Sequence, residues 1–175
     1  HYPLRRQRQM CIRDRGKTLV IVSSKSGSTI ETASQRALLA QKFEDAGLKP
    51  VDHFLFVTDP GSPLDTDVRA QGFTVLNADP QVGGRFSVLG AFGLAPSALS
   101  GSPVKSLLED SRIEKESFIA DAQPVLDTAY LLATQSEQYI GFTDAQSDMP
   151  GLSDWIEQLI AESTGKNSVG RLPIA

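Results

Sequence analysis

The chain has 175 residues, a formal net charge of −4, 40% hydrophobic residues and 22% charged residues, an ordinary composition for one globular domain with a sizeable core. Its one cysteine excludes an intramolecular disulfide, and its two histidines leave little for a histidine-based zinc site. No apolar run approaches the roughly 20 residues of a membrane-spanning helix. We therefore expect a reducing, cytoplasmic setting without membrane contact.

The first fifteen residues differ in charge from the rest, with five arginines against one aspartate. Such a basic leader is typical of a nucleic-acid-binding arm or a targeting peptide. It lacks both hydrophobic periodicity and the apolar segment of a secretory signal, which favours a leader over 1–16 that is foreign to the domain or disordered. The domain itself is then predicted at 17–175. Its mildly acidic composition argues against nucleic acid as a partner.

Strands and helices alternate in the first half of the chain. Apolar, β-branched or aromatic runs predict strands over 18–22, 54–57 and 73–76. Between the first two, apolar residues recur at helical spacing from Ile30 to Phe43, and Gly47 is placed to cap that helix. A shorter helix is predicted over 65–71. This alternation predicts an α/β fold, with a parallel sheet flanked by helices and right-handed crossovers.

The second half is predicted to be mostly helical. The candidate helices cover 87–99, 103–121, 124–137 and 151–163. A short run over 139–142 is compatible with one more strand. The last residues, 172–175, resemble the beginning of a new segment, so we expect the chain to be part of a longer protein.

A hydroxyl-rich loop follows the first predicted strand and leads into the first helix. It consists of Ser24, Lys25, Ser26, Gly27, Ser28 and Thr29. The first turn of a helix offers free N–H groups to an anion, and a glycine permits close approach of the backbone. The P-loop spacing is absent, and an ordinary capped helix start is the alternative. Four hydroxyls around one glycine favour phosphate.

Arg85 follows a pair of glycines, Gly83 and Gly84, in the loop after the third predicted strand. A glycine pair permits unusual backbone angles and close approach of a ligand. Ligands on parallel sheets bind beyond the carboxyl ends of the strands, where the loops 23–29 and 77–87 are expected. The alternative is a loop arginine paired with a surface carboxylate.

Glu162 ends the last predicted helix. The apolar stripe of this helix consists of Leu152, Trp155, Ile156 and Leu159. Glu162 follows Trp155 by seven residues and Gln158 by four, which places it at the margin of the stripe. A carboxylate there loses part of its hydration, as a general base often does; the alternative is a solvated glutamate at a helix end. His53, at the start of the second strand, is interpreted as structural.

With these motifs in this order, residues 17–175 resemble the glucose-6-phosphate isomerase family. Residues 22–32 are similar to its phosphate-binding loop, 82–87 to its arginine signature, and 155–166 to the segment that carries its catalytic glutamate. The last segment and 59–64 are most similar to bacterial forms, some of which are fused to transaldolase. The resemblance implies a doubly wound sugar isomerase (SIS) domain, the first of a pair, of which this chain would hold much.

The resemblance also implies roles for individual residues. Those implied to bind the substrate and its phosphate are Ser24, Lys25, Ser26, Ser28, Thr29, Gly84 and Gln158. Arg85 would stabilise the charge of an enediolate, and Glu162 would move a proton between C2 and C1. The implied reaction interconverts glucose 6-phosphate and fructose 6-phosphate, in glycolysis and gluconeogenesis, without a metal or organic cofactor.

The sequence departs from the family in several places. Pro80 stands where the arginine signature often has an acidic or small polar residue, for which we expect a local effect on the loop. The family's ring-opening histidine, its late lysine and its first glycine-rich loop have no counterpart. Because that histidine comes from a second subunit, a homodimer is expected of the full-length protein, and little activity of these 175 residues alone.

Two other functions stay open. A non-catalytic SIS module that senses sugar phosphates would need the loop over 23–29, but neither Arg85 nor Glu162. The other is an SIS isomerase of a different sugar phosphate, such as that of mannose or an amino sugar.

Overall fold

The computed structural model describes residues 14–145, 147–148, 151–166 and 170–175. The chain divides after Leu108 into two compact units, which we call the sheet unit (14–108) and the helical unit (109–175). Cys11 and most of the predicted leader lie outside the described residues. The described part begins with Asp14 and a short 3-10 turn, Arg15–Lys17.

The sheet unit is a three-stranded parallel sheet with helical connections. Its strands are β1 (Val20–Ser23), β2 (Phe54–Thr58) and β3 (Thr74–Asn77), and its helices are α1 (Ile30–Glu44), α2 (Pro63–Ala70) and α3 (Ala91–Leu99). The strand order is β1-β2-β3, with Val20 opposite Phe54 and Leu55 opposite Thr74. The predicted α/β class is therefore confirmed.

The core of the sheet unit is aromatic and centres on β2. It consists of Val22, Phe43, Phe54, Phe56, Leu64 and Val68. The neighbours Phe56 and Val57 are both fully buried, so β2 is covered on both faces, which explains its continuous apolar run. The Phe43 and Phe54 rings meet edge to face at 5.6 Å, a favourable aromatic geometry.

The predicted end of α1 is also confirmed. Gly47 has φ +74, which favours glycine, and its N–H donates to the Glu44 carbonyl at 2.8 Å. The next N–H, of Leu48, donates to the Phe43 carbonyl at 3.0 Å. These bonds satisfy carbonyls that the helix leaves open and turn the chain towards β2.

The helical unit begins at Glu109, inside the helix α4 (Val104–Ala120). Its other elements are α5 (Gln123–Thr134), β4 (Tyr139–Gly141), α6 (Leu152–Ser163) and β5 (Leu172–Ile174). The strand predicted over 139–142 is present as β4, and β5 pairs with it in parallel. The sequence did not predict β5, because it has three residues, one of them a proline, which is unusual within a strand.

Two predicted helices are shorter in the structure. The helix predicted from 87 begins at Ala91, because the Ser87 and Gly90 N–H groups close turns onto Gly84 and Ser87 carbonyls. The helix predicted to 137 ends at Thr134, since Gln135 is extended with ψ 147°. Among the described residues, we find no helix with the length and apolarity needed to cross a bilayer.

Candidate functional site

Three loops meet at the carboxyl edge of the parallel sheet, after β1, β2 and β3. Backbone hydrogen bonds join them: the Ser24 N–H donates to the Val57 carbonyl at 3.0 Å, and the Asp59 N–H donates to the Lys25 carbonyl at 3.2 Å. The Ala78 N–H donates to the Thr58 carbonyl at 2.9 Å. This edge is where parallel α/β sheets bind ligands.

The hydroxyl-rich loop between β1 and α1 is organised by its own serines. The Ser24 hydroxyl accepts from the Gly27 N–H at 3.1 Å, and the Ser26 hydroxyl accepts from the Ser28 N–H at 3.2 Å. The hydroxyl oxygens of Ser26 and Ser28 are 2.6 Å apart. Ser26, Ser28 and Thr29 are exposed, and Thr29 begins α1 without a capping bond from its side chain. The loop thus presents hydroxyls beside free N–H groups of a helix start.

Gly27 has a structural role that the sequence did not predict. Its φ is +77, and an added Cβ would lie 2.4 Å from the Cβ of Leu64. A side chain there would therefore be strained and would overlap α2. The requirement for glycine comes from the packing of the loop, whether or not a ligand also approaches it.

A concave space of about 310 Å³ adjoins this loop. Ser26, Ser28 and Arg36 are among its lining residues. Arg36 pairs with Asp67 at 3.5 Å and lies 5.8 Å from the centre of the Phe56 ring. Sequence reasoning missed Arg36, because one arginine in an amphipathic helix gives no signal of its own.

Lys25 joins the loops after all three strands. Its Nζ lies 2.8 Å from Asp59 Oδ2 and donates to the Val82 carbonyl at 2.9 Å. Its carbonyl accepts from the Thr58 hydroxyl at 2.9 Å. The sequence did not predict the pairing with Asp59, because the two residues are brought together only when β1 and β2 pair. The role of Lys25 as a phosphate ligand stays a prediction.

The β2–α2 turn that carries Asp59 is held by a buried carboxylate. Asp65 accepts from the Gly61 N–H at 2.9 Å, from Arg69 at 2.7 Å and from the Asn77 amide at 3.2 Å. These bonds, first that from the Gly61 backbone and then those from Arg69 and Asn77, hold the pKa of Asp65 below its ordinary value against the opposing effect of burial. Ser62 caps α2 by accepting from the Asp65 N–H at 3.0 Å.

Arg85 lies in a 3-10 turn, Gly84–Phe86, in the loop after β3. The glycine pair does not use the unusual backbone angles that it permits: Gly83 has φ −59 and ψ 147, and Gly84 belongs to the 3-10 turn. An added Cβ on Gly84 would make an ordinary van der Waals contact with Lys25 Cδ at 3.8 Å, so packing against Lys25 does not by itself require glycine there. The Arg85 side chain is half-buried, with its guanidinium carbon 5.8 Å from the centre of the Phe86 ring.

Glu162 and Gln158 lie in the helical unit, on α6. The Gln158 amide donates to Glu162 Oε1 at 3.0 Å, as their spacing predicts. The expected desolvation of Glu162 is not observed, because Glu162 is exposed. The less exposed face of α6 carries Ser153, Ile156, Leu159 and Ile160, so it shares Ile156 and Leu159 with the predicted stripe. Of that stripe, Leu152 and Trp155 are exposed.

The start of α6 is fixed by Asp144. Its carboxylate accepts from the Gly151 N–H at 2.5 Å and from the Ser153 N–H at 3.0 Å. These bonds, first that from Gly151, lower the pKa of Asp144. Asp144 therefore satisfies open N–H groups of the helix that carries Glu162.

His53 is structural, as predicted. Its Nδ1 lies 3.0 Å from the Thr18 carbonyl, and its ring packs 5.0 Å from that of Phe43. In the described ranges, no group of three or more histidine, cysteine or acidic residues is placed to hold a metal ion.

The sheet unit is thus an α/β domain with a hydroxyl-rich loop and an arginine-bearing turn at the carboxyl edge of its sheet, the edge at which folds of this class bind ligands. No protein-family model matches the chain. It is, however, 34% identical over 165 residues to the glucose-6-phosphate isomerase of Campylobacter jejuni, an alignment that covers 91% of this chain and 41% of that protein. It is 37% identical over 158 residues to that of Citrifermentans bemidjiense, with 86% and 30% covered.

A solved structure agrees over nearly the whole chain. The hypothetical protein TT0462 from Thermus thermophilus has a TM-score of 0.79 and 32% identity, and the alignment covers 98% of this chain and 43% of that one. The resemblance drawn from the sequence is confirmed: the chain is homologous to a part of the glucose-6-phosphate isomerases. It spans less than half the length of these relatives.

Proposed function

We propose that this chain supplies the phosphate-binding and charge-stabilising part of an aldose–ketose isomerase that interconverts glucose 6-phosphate and fructose 6-phosphate. The observation that carries the proposal is the juxtaposition of the hydroxyl-rich loop with the loop that leads to Arg85, joined by the Lys25–Val82 bond. Homology to proteins named glucose-6-phosphate isomerase supports the choice of substrate.

The substrate phosphate would bind at the loop between β1 and α1. The exposed hydroxyls of Ser26, Ser28 and Thr29 and the N–H groups of the first turn of α1 would donate to its oxygens. Ser24, which accepts from Gly27 N–H, would hold the loop in this conformation and can still donate its own proton. Because this contact lies far from the reacting carbons, its binding energy would serve to orient the open-chain sugar.

The proton transfer would involve one base and one cation. The Glu162 carboxylate would take the proton from C2 of the open-chain aldose, the electron pair would form an enediolate, and the same proton would return to C1. Arg85, which is always charged, would offset the charge that develops on the enediolate oxygens. Gln158, bonded to Glu162 at 3.0 Å, would orient the carboxylate and contact the sugar.

The test of this proposal is Glu162→Gln in a chain extended to the length of its relatives. The amide keeps the size of the side chain but cannot accept the proton, so turnover should fall about 10²–10⁴-fold, together with solvent deuterium exchange at C2. Glu157→Gln, on the same helix, is the matched control and should retain both. If Glu162→Gln exchanged the C2 proton with solvent deuterium at the wild-type rate, Glu162 would not be the base.

Two further outcomes separate the alternatives. An extended chain that binds sugar phosphates but shows no turnover would favour the sensing module. Faster turnover of another sugar phosphate would identify a different isomerase. We expect the 175 residues by themselves to show little turnover in a coupled assay, because the resemblance assigns ring opening to a histidine that has no counterpart here.

A further inference from the structure

We propose that the Lys25 side chain is a positioning residue, which fixes the turn that carries Arg85 relative to the phosphate loop, and that its ammonium does not bind the substrate phosphate. The inference rests on the proposed function and gives Lys25 a different part from the one that its motif implies. The Lys25 ammonium group contacts the loops after β2 and β3, while the Lys25 backbone belongs to the loop after β1.

The first observation is the arrangement of bonds around Nζ. It lies 2.8 Å from Asp59 Oδ2 and 3.0 Å from Asp59 Oδ1, donates to the Val82 carbonyl at 2.9 Å, and approaches the Asp79 carbonyl at 3.5 Å. The Phe92 ring of α3 lies 5.8 Å away. Because an ammonium group has three N–H donors, Asp59 and the loop after β3 engage most of its capacity.

The second observation is the charge of the pair. The side chains of Lys25 and Asp59 are only 30% and 18% exposed, so the carboxylate neutralises the ammonium in a place that solvent screens poorly. A lysine neutralised in this way attracts a phosphate less than a free one.

The third observation connects Lys25 to Arg85. Val82, whose carbonyl Lys25 holds, comes three residues before Arg85, and the stem of Lys25 passes beside Gly84, the residue before it. The turn itself is closed by the Phe86 N–H on the Gly83 carbonyl at 2.9 Å. Lys25 thus holds the carbonyl two residues before the turn, and its stem lies beside the first residue of the turn, so it restrains the backbone that leads into Arg85.

The experiment compares Lys25→Met, Lys25→Arg and, as the matched control, Lys42→Met in the full 175-residue chain. Methionine keeps the aliphatic stem but loses every bond of Nζ, whereas arginine can still pair with Asp59 and donate to Val82. Three quantities are measured by NMR: amide hydrogen exchange over 79–87 and over β2, the Nε–Hε resonance of Arg85, and the affinity for inorganic phosphate.

We expect Lys25→Met to speed exchange over 79–87 about tenfold or more, the factor for losing a hydrogen bond to a charged group, and to shift the Arg85 resonance. Exchange in β2 should stay as in the wild type, and Lys25→Arg should restore both the loop and the Arg85 resonance. Phosphate affinity should fall much less in Lys25→Met than in Ser26→Ala.

Unchanged exchange over 79–87 in Lys25→Met would overturn the proposal, and so would a loss of phosphate affinity as large as that of Ser26→Ala, which would make Lys25 a phosphate ligand. Equal acceleration in β2 would overturn it as well, because Lys25 would then support the fold in general. If the wild-type chain binds no phosphate, the proposed function fails, while the exchange and Arg85 measurements still decide the positioning role.

Discussion

The sheet unit and the helical unit bury their residues very differently. The hydrophobic core, from Val22 to Val68, lies within the sheet unit, where the fully buried rings of Phe43 and Phe56 pack around β2. In the described part of the helical unit, large apolar side chains such as Ile119 and Tyr130 are more than 70% exposed. Hydrophobic burial, the main stabilising contribution to folding, is therefore concentrated in the unit that carries the hydroxyl-rich loop.

This difference bears on the proposed phosphate-binding residues, which lie in the sheet unit, and on the proposed base, which lies in the helical unit. Around the hydroxyl-rich loop and Arg85, the supporting bonds described come from within these loops and from strand ends and loops of the same unit. Glu162 has a defined neighbour in Gln158 and a fixed helix start at Asp144, but it is exposed. The conformation of the hydroxyl-rich loop is thus determined by the packing of its own unit, and we expect substitutions in the sheet unit to have the larger effects.

The largest expected contrast is in core packing. Phe56→Ala should destabilise the protein by about 3–5 kcal/mol, the usual cost of removing a buried aromatic ring. Tyr130→Ala, at a side chain that is 72% exposed, should change stability by less than about 0.5 kcal/mol. Urea unfolding followed by far-ultraviolet circular dichroism measures both, and equal losses would contradict the comparison.

A smaller effect is expected at Gly27. Gly27→Ala requires a positive φ for alanine and places its Cβ against Leu64, which together should cost about 2–4 kcal/mol. Gly47→Ala has a similar φ of +74 but no atom within 4 Å, so it should show the cost of the backbone angle alone, about 1 kcal/mol. The two melting temperatures give the difference; if they coincide, the contact with Leu64 does not restrict the loop.

The smallest effect concerns pH and the start of α6. Because the pKa of Asp144 is lowered in the folded chain, its carboxylate stabilises the helix above its unfolded pKa of about 3.9. That stabilisation is lost as pH falls through the lower folded pKa. Trp155, in the same helix, reports the change by fluorescence between pH 6 and pH 2.

The control for this pH dependence is an exposed aspartate of the same unit. Asp144→Asn should remove part of the acid-induced change, whereas Asp148→Asn should retain it. An identical acid transition in wild type and Asp144→Asn would mean that Asp144 does not stabilise α6.

Local patterns were enough to predict the sheet unit. Short stretches of sequence encode the apolar runs of β1, β2 and β3 and the end of α1 at Gly47. The fold class, the order of the elements along the chain and the positions of the loops could therefore be predicted. The bonds of Lys25 to Asp59 and Val82 could not be predicted, because they join residues 34 and 57 positions apart. The face of α6 was predicted only in part: Ile156 and Leu159 are half-buried as expected, whereas Leu152 and Trp155 are exposed although they fit the same helical stripe.

The central claim is that the sheet unit contains a phosphate site at the start of α1. The most direct measurement is an NMR titration of the 175-residue chain with glucose 6-phosphate, with inorganic phosphate in parallel, followed at the backbone amides. We predict shifts centred on 26–30, and an affinity that falls about tenfold or more in Ser26→Ala with Thr29→Ala, since tenfold is the low end of the loss for a single hydrogen bond to a charged group. Ser106→Ala, at an exposed serine of α4, should bind as the wild type does. Shifts that are absent from 26–30, or an affinity that the double variant leaves unchanged, would contradict the claim.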